Sequence, residues 1–426
     1  MDALALVAIL AMLFALGAPV AVAIGVASLV AFLLQGDFSL MMVIQRLYAG
    51  ADSFPLMAVP LFVLAGLLME AGGLSRRIVR LAESLVGWLP GGLAAVSIVS
   101  AMFFAGITGS AAADTAAVGG ILIPEMIRRG YDRGFSAAVQ ASGGSLGVVI
   151  PPSIPMIIFG FLTGASISEL FAAGILPGLL IGASLVGVSV VVSKRASYGN
   201  AGSFSSGELL GALWEAKWAL GAPLVVLGGI LGGVFTATES ASIAVFYAFA
   251  VGMGVHRELG WKEIPSMIIR AALISSVVLF IIATASVFSW LMAIQEIPAR
   301  IASWLQSLSD SPGMLLFLIN ILLLIAGTFV ETKAALILLA PVLVSLLPHL
   351  RIDLVQLGAI IIVNLSIGML TPPLGICLVV SSGIADSPLE KAVAQLTPFF
   401  MVLVLDLMII TYWPPLTLWL PGLLRR

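Results

Sequence analysis

Long apolar stretches, broken by short polar or Gly/Pro-rich runs, set the pattern of this chain. Residues 4–34 are apolar and long enough to cross a bilayer with tilt. Their start, MDALALVAILAMLF, has no basic n-region and no cleavage signal, so a first span is expected there and not a removed leader. A second predicted span covers 54–69. Residues 74–88 place Arg76, Arg77, Arg80 and Glu83 on an otherwise apolar helix, which suits a helix lying at the interface. Segments 93–104 and 116–127 are each about a dozen residues, too short to cross. Joined by GITGSAAAD, they predict a re-entrant hairpin, with two ordinary short spans as the alternative. Then come 135–163, broken at Pro151, Pro152 and Pro155, and a span at 170–192. A polar, Ser- and Gly-rich stretch at 194–217 reads as a linker. Beyond it lie predicted spans at 219–234, 241–255 and 271–292. A second hairpin pairs 314–326 with 334–347 and has GTFVETK at its tip. Segment 354–384 is broken at Pro372 and Pro373, and 392–424 closes the chain.

The second half repeats the first. GSAAADTAAVGGILIP matches TFVETKAALILLAP: in each, an acid–Thr pair (Asp114–Thr115, Glu331–Thr332) precedes an apolar run ending in Pro124 or Pro341. SLGVVIPP matches SIGMLTPP, with Ser, then Gly two later, then a Pro pair. Duplicated segments interrupted at matching places point to the midplane site of a secondary transporter. The expected fold is an all-α polytopic membrane protein of two inverted repeats, each with a re-entrant hairpin and a discontinuous helix. The first repeat covers 1–195 (hairpin about 91–128, broken helix about 135–163). A cytoplasmic linker at 196–217 leads to the second repeat at 218–426 (hairpin about 313–348, broken helix about 354–385).

Composition agrees. Hydrophobic residues make up 61% of the 426 and charged residues 9%, where a soluble domain carries roughly a quarter charged. Mean hydropathy is +1.19. The lipid bilayer is therefore the surrounding medium, and a net charge of -2 gives no sign of a nucleic-acid partner. The single cysteine, Cys377, excludes an internal disulfide and reads as packed core. Arg76, Arg77, Arg80, Arg128, Arg129, Arg133, Lys194, Arg195, Lys217, Arg257, Lys262 and Lys391 fall on one side of this topology, against Arg46, Arg300, Arg351, Arg425 and Arg426 on the other. The larger group marks the cytoplasmic side. The first hairpin then opens inward and the second outward.

Broken helices in lipid are tolerated only where protein or a cavity covers the freed backbone groups. A Pro pair frees the carbonyls before it, near 147–150 and 368–371. With hydroxyls and tip oxygens, these predict two all-oxygen cages for a hard cation. One joins Thr108, Gly109 and Ser110 to Ser145, Gly147 and Ile150. The other joins Gly327, Thr328 and Thr332 to Asn364, Ser366, Gly368 and Thr371. The same breaks leave half-helix N-termini at the midplane, able to hold an anion without a buried base. Ser110, Asp114, Pro151, Ser153, Glu331, Asn364 and Pro372 are the candidate substrate contacts. Asp114 and Glu331 are intramembrane acids and functional candidates by default. The competing account makes each a cap on the second arm of its hairpin. Lys333 either pairs with Glu331 or faces an aqueous cavity. Glu239 reads as a helix cap, and His256 and His349 as solvated loop residues. No HExxH, no helical aspartate pair and no Ser/His pair sits at membrane depth, which argues against an intramembrane enzyme. A channel would not need inverted hairpins.

GITGSAAADTAAVG, SLGVVIPPSIPMIIFG, GGVFTATESASIAVFYA and SIGMLTPPLGICLVV, in this order, resemble the large membrane subunit (DctM type) of TRAP transporters over essentially the whole chain. The family's common TPTEA stands here as Thr236-Ala-Thr-Glu239-Ser, without the proline. The resemblance implies the elevator fold of the ion transporter superfamily and sodium (Na+) as the coupling ion in the two cages. It also implies uptake of an organic acid across the cytoplasmic (inner) membrane of a bacterium or archaeon. A dicarboxylate, a sialic acid or a keto acid would fit. Two partners follow: a small four-helix membrane subunit, expected as a separate chain, and a periplasmic substrate-binding protein. The alternative is a stand-alone carboxylate or ion transporter of the same superfamily.

Overall fold

A computed structural model describes residues 3–35, 39–199, 203–309 and 311–425. Among the described residues every regular element is a helix, and seven are long and apolar enough to cross a membrane. The chain starts with α1 (Ala3–Ala15), α2 (Val20–Gln35) and α3 (Leu40–Ala51). The single span expected at 4–34 is two helices, because Gly17 turns at φ 76 and Pro19 follows. Helix α3 was not expected; the Ser39 hydroxyl accepts from Met41 N and starts it.

After a 3-10 turn come α4 (Ala58–Ala71) and α5 (Leu74–Val86). In α5, Leu74, Ile78, Leu81 and Ala82 are buried while Arg76, Arg80 and Glu83 are exposed, as an interfacial helix requires. The hairpin follows as α6 (Gly92–Thr108) and α7 (Ala111–Arg128). Its arms, of 17 and 18 residues, are longer than expected. The Ala-rich stretch taken for a loop is good helix former and continues α7 to the tip, leaving only Gly109 and Ser110 outside the arms. The broken helix is α8 (Arg133–Ser145), a 3-10 turn at Leu146–Val148, and α9 (Ile154–Thr163). Helix α10 (Ile167–Arg195) completes this half.

The linker expected at 196–217 includes residues 200–202, which lie outside the described residues. Its last part is already helical, because α11 runs Ser206–Leu231 from a Ser205 cap. Next come α12 (Ala237–Phe249), continued by a π turn at Ala250–Val255, and α13 (Ile264–Ile294). The second half proceeds as α14 (Ile297–Leu308), α15 (Pro312–Phe329), α16 (Thr332–Ser345), α17 (Leu347–Leu350), α18 (Leu354–Gly368) and α19 (Ile376–Ala385). It ends with α20 (Leu389–Tyr412) and α21 (Pro415–Leu424). Pro414 and Pro415 end the segment predicted as one span at 392–424. Both Pro151–Pro152 and Pro372–Pro373 bonds are cis.

Packing follows the duplication. Helix α7 lies against α8 of its own half and α19 of the other, and α16 against α18 and α9. Each hairpin thus touches its own broken helix and the far part of its counterpart. Helices α8 and α18 form the centre: Gly134–Ser145 and Val355–Gly368 are buried throughout. Two polar clasps join the halves. Arg133 donates to Ala385 O at 2.9 Å and lies 3.2 Å from Asp386 Oδ2. Arg425 reaches Glu169 at 2.6 Å and Asp353 at 3.0 Å. Around this centre α2, α3 and α4 pack on α13, α4 on α12, and α5 on α11, forming an outer frame.

Candidate functional site

The first tip is locked to its own break. Ile154 N donates to Gly109 O at 3.4 Å. A Cβ on Gly109 would sit 2.5 Å from Pro152 O, and its φ is 62, so this close approach needs glycine. The Thr108 hydroxyl donates to Asp114 Oδ1 and accepts from Ser110 N at 3.3 Å. Gln140 Nε2 reaches Asp114 O and Thr115 O at 3.4 and 3.3 Å, and Ser97 donates to Gln140 Oε1. Asp114 is fully buried, and its Oδ2 has no hydrogen-bond partner among the described residues. Gly147 makes room for that oxygen, since a Cβ there would lie 2.3 Å from it.

The second tip repeats the lock. Leu374 N donates to Thr328 O at 3.2 Å, and a Cβ on Gly368 would lie 2.6 Å from Gly327 Cα. Thr332 Oγ1 reaches Leu365 O at 3.5 Å. Asn364 Nδ2 donates to Asn320 O and Oδ1, both at 3.0 Å, while Asn364 Oδ1 is buried without a partner among the described residues. Asn320 and Gln356 both bond Thr411 of α20.

Several hydroxyls spend their proton on nearby carbonyls: Ser145 on Ser142 O, Thr328 on Ile325 O, Ser366 on Val363 O and Thr371 on Ile367 O. Their lone pairs stay available as acceptors. The break carbonyls are less free than the Pro pairs suggested. Val148 O accepts from Ser153 at 2.6 Å, and that hydroxyl also caps α9 at Met156 N. Gly368, Met369 and Thr371 carbonyls accept from the N–H groups of Thr371, Cys377 and Gly375. Each keeps one further lone pair. The Ile150 side chain packs over Gly178 of α10.

Neither tip acid caps its helix by a side-chain hydrogen bond. Asp114 bonds Thr108, and Glu331 pairs with Lys333 instead of a backbone N–H. Glu239 does cap, in a capping box with Thr236. His256 is half-buried, with Nδ1 2.9 Å from Gly72 O, and is not a solvated loop residue. Cys377 is buried as expected.

Both tips and both breaks meet at a cavity of about 30 Å³, walled by Ser110, Val148, Pro155, Glu331, Thr332, Lys333 and Met369. A second cavity of about 70 Å³ lies between the first tip and the frame, walled by Thr108, Ser110 and Lys333 with Glu70 of α4 and Val278 of α13. Of the predicted substrate contacts, Ser110 and Glu331 face the first cavity. Asp114, Asn364, Pro151, Ser153 and Pro372 are not among its walls. Pattern reading passed over Glu70, Ser97, Gln140, Asn320 and Gln356. The signal was there: each is a polar residue inside an apolar run, which is costly in a membrane.

Residues 7–416 match the family model of the tripartite ATP-independent periplasmic transporter, DctM component. The chain belongs to that family. It is 41% identical to the isethionate TRAP transporter permease protein DctMQ of Oleidesulfovibrio alaskensis, over 97% of this chain and 65% of that longer protein. It is 39% identical to the 2,3-diketo-L-gulonate TRAP transporter large permease protein YiaN of Escherichia coli, covering 94% of this chain and 95% of the relative. Identity is 37% to the C4-dicarboxylate TRAP transporter large permease protein DctM of Pseudomonas aeruginosa, over 94% and 93%. Among solved structures, the YdaH transporter of Alcanivorax borkumensis superposes with TM-score 0.56 at 17% identity, over 87% of each chain. That likeness concerns the fold alone. The DctM family chain is thus a multi-pass membrane permease subunit of a TRAP transporter, and not an enzyme.

Proposed function

We propose that this chain is the sodium-coupled import subunit of its transporter. It moves a small organic acid inward across the cytoplasmic membrane of a bacterium or archaeon. A periplasmic binding protein delivers the acid, and a small four-helix membrane subunit widens the frame. The two hairpins and broken helices travel as one body against that frame, in elevator fashion. The observation that carries this reading is the convergence of both tips and both breaks on one cavity.

Sodium fits the donors near the tips. They are hydroxyl and carbonyl oxygens, with one buried carboxylate oxygen that lacks a partner among the described residues. Ca²⁺ and Mg²⁺ more often take several carboxylates, and among the described residues no cluster of three or more metal-binding side chains forms. The organic-acid class follows the substrates in the relatives' names, and a separate or fused small subunit follows the longer DctMQ relative.

Proteoliposomes holding this chain, with and without a small subunit and binding protein, test the reading. Uptake of organic acid should require an inward sodium gradient and all three components. Undiminished uptake in sodium-free buffer under a proton gradient would overturn the coupling. Robust uptake of free acid by this chain alone would favour a stand-alone transporter.

A further inference from the structure

We propose that Lys333 is the residue that takes the acid head group of the transported anion, exchanging its pairing with Glu331 for it. The proposal rests on the transport reading and deepens it. Lys333 Nζ pairs with Glu331 Oε1 at the second tip, and the two side chains are 21% and 22% exposed. The same lysine walls both cavities, together with Ser110 of the first tip. Among the described residues lining these cavities it is the only base, while Glu331 lines one and Glu70 the other.

Local energetics do not account for a lysine here. It stands in the first turn of α16, where the helix dipole disfavours a positive charge. A partly exposed ion pair with Glu331 returns little stability. What the position does supply is one full positive charge beside the N-terminal N–H groups of α7 and α16, where an oxyanion is also favoured. Glu331 neutralises Lys333 when no anion is present. An arriving carboxylate or sulfonate replaces Glu331 on the ammonium and adds the helix N–H groups. The substrate class is therefore a small organic anion held through one acid head group.

Purified full chain, titrated in saturating sodium with isethionate, glycolate and succinate and read by thermal unfolding, tests this. Wild type should be stabilised by at least one of the three. Lys333→Gln should raise the half-saturating anion concentration about tenfold or more, the worth of one charge-assisted hydrogen bond. The stabilisation by sodium alone should stay unchanged, which separates head-group binding from a folding defect. Lys333→Arg should recover most of the affinity, and Glu331→Gln with Lys333→Gln should stay weak. Unchanged anion affinity in Lys333→Gln, or restored affinity in the double variant, would overturn the proposal while leaving the transport reading intact. A wild-type chain that responds to none of the three anions would overturn the proposal as well, while the transport reading stands or falls with the proteoliposome uptake.

Discussion

Asp114 holds one carboxylate oxygen that no donor among the described residues reaches, in a fully buried position. An ionised carboxylate without compensation inside protein costs several kcal/mol, so it calls for a cation or a proton. Under sodium coupling that cation is Na+. Asp114→Asn should therefore raise the sodium concentration for half-maximal uptake about tenfold, with the protein still folded. An unchanged sodium dependence would return Asp114 to a structural role. At the clasp on Arg425, burial alone would raise the Asp353 carboxyl. Hydrogen bonds from Arg425 and from the Val355 and Gln356 N–H groups outweigh it and hold the group below its ordinary value. A carboxyl depressed by folding contributes fully above its unfolded pKa of about 4 and loses that contribution as pH falls through its folded value. Arg425→Ala should lower stability by about 1 kcal/mol or less, since Arg425 is substantially exposed. Melting curves should show that deficit constant from pH 5.5 to 8 and shrinking below about pH 4.

At the scale of elements, the lock between tip and break depends on backbones touching. A Cβ on Gly368 would meet Gly327 Cα at 2.6 Å and O at 2.9 Å, and backbone cannot swing aside. Gly368→Ala should cost about 1–3 kcal/mol through overpacking. Gly120→Ala in α7, with nothing within 4 Å, should be neutral or gain up to about 1 kcal/mol. Thermal melts of the two variants check both; equal behaviour would deny the lock. The hairpins and broken helices were legible because Gly and Pro pairs interrupt apolar runs at matched places. Their boundaries were not, because alanines read as a loop continue a helix equally well, as at Ala111–Ala113. The break at Gly17–Pro19 and helix α3 escaped because hydropathy reports burial from water and not chain direction. Which partner a polar side chain finds is a tertiary matter. The pairing of Lys333 with Glu331 was an open alternative in the sequence, whereas Asp114 with Thr108, or Asn364 with Asn320, had no local signature.

For the whole molecule, exchanged packing of α7 on α19 and α16 on α9 gives one centre built from both halves. A centre shared in this way is the arrangement that the proposed elevator motion needs. The 309–312 loop at the mouth of the second hairpin includes Asp310, outside the described residues, but Ser311 is exposed and open to labelling. At the first hairpin Tyr131 is buried against Tyr198 and Phe135, so exposed Arg128 is the better marker of that mouth. Ser110, at the first tip, walls both cavities. The deciding measurement is two-sided thiol labelling of Ser110→Cys in a Cys377→Ser chain, assembled with its partners, with Arg128→Cys and Ser311→Cys as reference variants. The references should label from opposite faces. Ser110→Cys should react from either face, with sodium and substrate shifting the balance between them. References that label from one face, or a Ser110→Cys thiol reached from one side only under every condition, would contradict alternating access through this centre.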